Sequence, residues 1–272
     1  MTEAADGDGL DEDAAPALTL VREGGVARLT LDRPLRRNAL SRRLMDELAQ
    51  AFVAAGDDDE IAVIVLTGAG DQAFCAGVDL KEHAERDAGG VAFERPMAGV
   101  RRNIFELVLE TPKPTIAVLN GPAVGAGCEL ALACDLRVAA PHAYLQLPEA
   151  LRGMGANFAS VLLPRLVPRA IALELLYTAR PITAARAYEV GLLNQVVDAA
   201  DLAACAGELA QTIAANAPLT VRRYKHVALK GWELPVPTAL RLDVGPDPYR
   251  SSDRVEGIRA FVEKRDPRWT AS

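Results

Sequence analysis

Residues 125–135 read GAGCELALACD, and the acid inside that run, Glu129, six residues ahead of the closing Asp135, sits among small and apolar side chains in what reads as the start of a buried helix. An unpaired buried carboxylate is costly, so its presence implies a compensating partner or a chemical use. If the helix begins near Ala126, its first N–H groups have no intrahelical acceptor, and the positive end of the helix dipole points out of the glycine turn. Such a place stabilises a developing oxyanion, and Glu129, three residues further on, can reach chemistry beside it. The combination suits formation of an enolate on an acyl compound. Taken locally, the same acid also reads as a first-turn residue bonding the N–H groups of its own helix, as in a capping box. A second glycine-punctuated stretch, GAGDQAFCAGVD (68–79), can likewise present backbone N–H groups to a ligand. A further acid, Glu149, follows Pro148, a pairing that by itself reads as an ordinary helix start.

These loops need strands and helices to hold them. The alternation in ARLTLD (27–32) predicts a half-buried strand. Ser41 precedes a segment in which Leu44, Met45, Leu48 and Phe52 recur at helical spacing, and is read as the N-cap. IAVIVLTG (61–68) is a continuous β-branched run, as expected of a strand covered on both faces. A short helix is expected from Leu80, then a weak connection over 89–97. A helix over 98–110 follows, ended by the prolines of TPKP. The unit then recurs as the strand TIAVLN (115–120), the turn GPAVGAG and the helix CELALACD. LRVAA (136–140) reads as a third strand, LPEALR (147–152) as a helical start, and LLNQVV (192–197) as a short strand in an otherwise helical second half. Two strand–loop–helix units in succession imply a layered α/β protein with mostly parallel strands. From about residue 211 the pattern is helical, with apolar faces that need a surface to pack on, a partner subunit being one candidate.

Composition narrows the class. At 272 residues, half of them hydrophobic, the chain can bury a sizeable core. The net charge of −7 is uneven: residues 1–17 hold six acids and no base, and the remainder is close to neutral, with 31 acids against 30 bases. That leader reads as a disordered acidic tail, not as a secretory or transit peptide. No window supplies the roughly 18 apolar residues a membrane span needs. Cys75, Cys128, Cys134 and Cys205 form no CxxC pair and read as reduced packing residues of a cytoplasmic protein. The three histidines are too scattered for a metal site, and no basic face suggests nucleic acid. GAGDQAF lacks the third glycine of GxGxxG, and GPAVGAGCE has no GK[ST] ending, so both nucleotide readings are weak.

The stretches VLTGAGDQAFCAGVDLKE (65–82), KPTIAVLNGPAVGAGCELALACDLRVA (113–139), LPE (147–149) and GIRAFVEKR (257–265) resemble, in order and spacing, the enoyl-CoA hydratase/isomerase, or crotonase, superfamily. The resemblance spans about residues 18–270. It implies a ββα spiral core over 18–210, with a C-terminal helical trimerisation region over 211–272 that builds homotrimers or hexamers of stacked trimers. It also implies an acyl-CoA thioester substrate with no cofactor or metal, coenzyme A being part of the substrate. By motif position the thioester oxyanion is held by the backbone N–H groups of Val78 and Ala126, and Glu129 and Glu149 are the hydratase glutamates. The expected reaction is addition of water to a 2-enoyl-CoA, with Glu129 activating the water and Glu149 supplying the α-carbon proton. Coenzyme A contacts are implied for Leu35, Arg37, Ala76, Asp79, Leu80 and Lys81, and for Phe261 and Lys264, with a neighbouring subunit's ligand as one candidate for the last two. Asp79 reads equally as a helix cap.

The chain departs from the family pattern after Glu149. Where many hydratases carry a segment like GxxPGxGG, GMGANFAS (153–160) stands here, placing Asn157 and Phe158 where small residues often line the acyl pocket. A reshaped pocket is expected, suited to a branched, aromatic or hydroxylated acyl group or to dehydration as the working direction. A 3-enoyl to 2-enoyl isomerase and a non-catalytic acyl-CoA-binding protein are the alternatives.

Overall fold

The computed structural model describes residues 16–90, 97 and 99–272. Most of the acidic leader and most of the connection read over 89–97 therefore lie outside the described residues. Ala17, assigned above to the tail, is buried, and its carbonyl accepts the Asp32 N–H at 2.8 Å.

The chain opens with a hairpin, β1 (Leu18–Glu23) and β2 (Val26–Leu31), whose two-residue turn is Gly24–Gly25, both at positive φ. After α1 (Arg42–Asp57), capped by the Ser41 hydroxyl on the Leu44 N–H, comes β3 (Val63–Gly68). Then follow α2 (Leu80–Ala88), α3 (Ile104–Glu110), β4 (Thr115–Leu119), the two-residue β5 (Ala123–Val124) and α4 (Ala126–Ala133). β6 (Leu136–Ala139), β7 (Tyr144–Gln146), a 3₁₀ turn over Pro148–Arg152, α5 (Ala159–Leu166) and α6 (Arg169–Thr178) continue the chain. The second half adds β8 (Ile182–Thr183), α7 (Ala184–Glu189), β9 (Gln195–Val196), α8 (Leu202–Ala214), α9 (Pro218–Gly231), α10 (Val236–Ala239) and α11 (Ser252–Glu263).

The main sheet has six strands in the order β1-β2-β3-β4-β6-β9, parallel throughout except for the opening hairpin. The apolar run of β3 is covered on both faces, as its sequence requires. Ile64 and Leu66 belong to the core under α1 and α4, while Val63 and Val65 pack with Ile116, Val118 and Val138 against Leu202, Ala206 and Ala210 of α8. A three-stranded sheet, β5-β7-β8, forms the next layer. Its strands are too short to carry a periodic signal, and none was read from the sequence.

Three expectations are corrected in position. The helix placed over 98–110 begins at Ile104, because Asn103 and Glu106 close a capping box, each side chain accepting the other's backbone N–H. The helical start at LPEALR is a single 3₁₀ turn, stopped by Gly153 at φ 66°. The strand at LLNQVV shrinks to Gln195–Val196, since only those residues pair with β6.

The helices after residue 214 are tied back to the core. Lys225 of α9 donates to the Asp135 carboxylate at 2.7 Å and to the Lys113 carbonyl, and the same carboxylate oxygen accepts the Thr115 N–H and hydroxyl. Apolar residues of α11, among them Ile258, Phe261 and Val262, remain exposed.

Candidate active site

Two parallel bridges outside the named strands build the site. Cys75 pairs with Ala123, and Leu40 with Val78. In the second, the Leu40 N–H donates to the Gly77 carbonyl and the Asp79 N–H to the Leu40 carbonyl. The Val78 N–H is thereby turned away from Leu40 and finds no acceptor among the described residues. In the first, the Val124 N–H donates to the Cys75 carbonyl, which brings the loop against the start of α4. A Cβ added at Gly127 would lie 2.3 Å from the Cys75 carbonyl oxygen, so only glycine lets this helix approach so closely. Gly125, at φ 56° and ψ −124°, is the N-cap of α4, and its carbonyl accepts the Glu129 N–H. Ala126 at the first helical position has a free N–H, as helix geometry requires. Val78 and Ala126, each with a free N–H, line one cavity.

Asn38 and Asn120, neither of them singled out by the motifs above, latch the loop. Asn38 is buried at φ 56°, donating to the Ala69 and Ala73 carbonyls and accepting the Arg33 N–H. Asn120 accepts the Gly68 N–H and donates to the Gly70 carbonyl. Asparagine's tolerance of the left-handed region was the available signal at Asn38.

Glu129 is only 6 % exposed. Its carboxylate does not cap its own helix. Oε1 accepts the N–H groups of Phe158 at 3.1 Å and Ala159 at 2.9 Å, the first turn of α5, leaving Oε2 with no hydrogen-bond partner among the described residues. Burial pushes its carboxyl up to about 7; the Ala159 N–H opposes the shift, the neighbouring Glu149 adds to it, and the Phe158 N–H opposes it again. Glu149 is raised as well, chiefly by burial, with its own backbone N–H and the Arg152 charge pulling back. Its Oε2 is buried without a partner, and its Oε1 would lie 3.0 Å from a Cβ built on Gly125. Two carboxyls that both resist ionisation thus flank the two free N–H groups.

A cavity of about 910 Å³ gathers these parts. Ala76, Val78, Leu80, Ala126, Glu129 and Glu149 line it, with Ile104 and Phe105 of α3 and Met154 and Gly155 after the 3₁₀ turn. The other expected contacts lie off its wall. Asp79 pairs with Arg33 at 3.1 Å and accepts the Glu82 N–H at the start of α2. Burial, the largest single influence, would raise its carboxyl, but Arg33 and the Glu82 and Lys81 N–H groups together hold it below the usual range. Leu35 is 77 % exposed, Lys81 is exposed, and Arg37 contributes its carbonyl to the Ala76 N–H. Phe261, 85 % exposed, and Lys264, at φ 52° ending α11, lie on the outer surface.

Asn157 and Phe158, expected on the pocket wall, are not among the residues that line this cavity. Phe158 opens α5, so its N–H serves Glu129 while its ring turns into the core against Phe105, centroids 5.5 Å apart. Asn157 sits behind Gly155, its Oδ1 3.0 Å from where a Cβ would stand. Phe105, Met154 and Gly155 form the wall in their place.

A largely parallel sheet thus holds two free N–H groups and two buried carboxyls around one cavity. The chain belongs to the enoyl-CoA hydratase/isomerase family, whose pattern it matches over residues 21–272. It is 39 % identical to the carnitinyl-CoA dehydratase of Escherichia coli K12 over 260 residues, covering 93 % of this chain and 98 % of that one. Among solved structures, the enoyl-CoA hydratase of Bacillus anthracis superposes with a TM-score of 0.85 at 35 % identity, covering 94 % of this chain and all of that one. That of Mycobacterium tuberculosis superposes at 0.83 with 33 % identity, covering 95 % of this chain and all of that one. Among the described residues no helix is long and apolar enough to cross a membrane.

Proposed function

We propose that the protein catalyses reversible addition of water to a 2-enoyl-CoA, giving a 3-hydroxyacyl-CoA. The observation that carries this reading is the pair of carboxyls, Glu129 and Glu149, both raised above the ordinary range and both facing the space between two free N–H groups. The thioester carbonyl accepts from Val78 and Ala126, so charge moved onto its oxygen in the transition state meets donors already in place. One such donor is worth roughly 3 kcal/mol. Glu129, held by α5 through Oε1, uses Oε2 to take the proton of the attacking water, whose oxygen bonds to the β-carbon. Glu149 delivers a proton to the α-carbon, and the enolate collapses back to the thioester.

The same atoms run the reverse path, loss of water from a 3-hydroxyacyl-CoA, which the name of the E. coli relative describes for that protein. Coenzyme A enters as part of the substrate, and the exposed apolar face of α11 suits packing against neighbouring subunits in a trimer. Incubating the protein with crotonyl-CoA in H₂¹⁸O tests the reaction. Heavy oxygen on the product β-carbon is expected, whereas a product shifted in double-bond position without label would point to isomerisation.

A further inference from the structure

The cavity wall carries charges that the water-addition chemistry does not use. Arg86 of α2, Arg101 ahead of α3 and Arg152 at the end of the 3₁₀ turn all line it. None of the three has a side-chain ion pair or hydrogen bond among the described residues. Arg102 beside them is neutralised by Glu106 and Glu110, and Arg42 shares the wall with Asp46, one turn along α1.

Two of them, Arg101 and Arg152, stand on the acyl side, and Arg86 lines the same cavity. Phe105 of α3 packs on Phe158, whose N–H holds Glu129, so the segment leading into α3 stands on the side of the reacting carboxyls. Arg152 follows Glu149 by three residues, and its charge acts on that carboxyl. A cationic acyl group would meet three guanidinium groups there. Of the aromatic faces that bind quaternary ammonium ions, only the Phe105 ring is available among the described lining residues. A carboxylate suits the same wall, because a guanidinium fork pairs with it through two parallel hydrogen bonds.

We propose that Arg86, Arg101 and Arg152 bind an anionic group at the far end of the acyl chain, making the substrate class a CoA thioester of a short dicarboxylic acid. The inference rests on the acyl-CoA reading of the site but not on the direction or nature of the reaction. Its chemistry, an anion on unpaired arginines, could also be supplied by the phosphates of coenzyme A, and the test separates the two sources.

Equilibrium binding of unreactive saturated thioesters to the full-length protein decides the matter without turnover. Glutaryl-CoA is expected to bind about tenfold or more tighter than butyryl-CoA, with 4-trimethylammoniobutyryl-CoA weakest, as charge-assisted pairing allows. Arg101→Ala and Arg152→Ala should each lower the glutaryl-to-butyryl ratio by about threefold or more, the double variant bringing it near unity, and added salt should erode it. Butyryl-CoA affinity in each variant reports whether the site still folds. Equal affinity for glutaryl-CoA and butyryl-CoA in the wild type would overturn the proposal. So would variants that weaken every thioester and free CoA alike, since the arginines would then be holding phosphates. Failure to bind any thioester would instead defeat the acyl-CoA reading, while failure to add water would leave the binding preference standing.

Discussion

The Oε1 atom of Glu129 lies 2.9 Å from the backbone nitrogen of Ala159, so a carboxylate from the first turn of α4 caps the first turn of α5. The bond fixes the carboxylate at one oxygen and leaves the other for chemistry. It also explains how the acid is tolerated where burial opposes its charge.

That burial makes stability depend on pH. The Glu129 carboxyl titrates at about 7 in the fold against an ordinary 4.5. The folded state therefore binds the proton more tightly, and the stabilisation from protonation is complete below about 4.5 and lost as pH rises through about 7. Glu129→Gln should gain stability over the wild type by on the order of 2 kcal/mol more at pH 8 than at pH 5. Urea denaturation of both proteins at the two pH values checks this, and parallel pH curves would contradict it.

Activity should follow the same titrations. Water activation requires ionised Glu129, so kcat/KM is expected to rise with pH along a limb centred at about 7. Proton delivery requires protonated Glu149, whose carboxyl burial raises above its ordinary range, so its ionisation should produce the falling limb. The two groups influence each other, so the limbs belong to the pair. A profile with no ionisation near 7 would remove Glu129 from the base role.

Gly127 is expected to tolerate no side chain. The Cβ of Gly127→Ala would stand 2.3 Å from the Cys75 carbonyl oxygen, and backbone on both sides must move. A loss of at least about 2 kcal/mol in unfolding free energy should accompany a fall in activity, since the Val78 loop is displaced. Unchanged stability would show that the two loops are held less tightly than the bridges indicate.

Ala126→Pro probes the oxyanion donor directly. Proline suits the first position of a helix, and Gly125 before it has no Cβ to clash. The fold should survive while the N–H is lost, lowering kcat by about 10²–10³. Circular dichroism and turnover measured together check both halves.

The parts of this design that lie within one stretch of chain were legible beforehand. The β-branched run of β3 announced two-sided burial, and the glycines of 125–127 announced a backbone approached closely from outside. What depends on long-range pairing was not legible. β5 and β8 span two residues each and are joined into a sheet only through β7. Asn38 and Asn120 look like ordinary turn residues until the loop between Gly68 and Ala73 folds over them. At Phe158 the sequence shows a ring and hides the N–H, and it is the N–H that holds Glu129. The capping box is legible in Asn103 and Glu106, but the longer apolar periodicity ahead of it masks the helix start. Arg86, Arg101 and Arg152 converge on one cavity from three separate segments, a relationship no local pattern contains.

The most direct measurement is the hydration rate of crotonyl-CoA, or of a carboxylated enoyl-CoA, by Glu149→Gln, followed through the absorbance of the conjugated thioester. Glutamine keeps the shape but cannot deliver the α-carbon proton, so kcat should fall by about 10²–10⁴ while thioester binding is retained. A variant that hydrates at the wild-type rate would contradict the two-carboxyl mechanism.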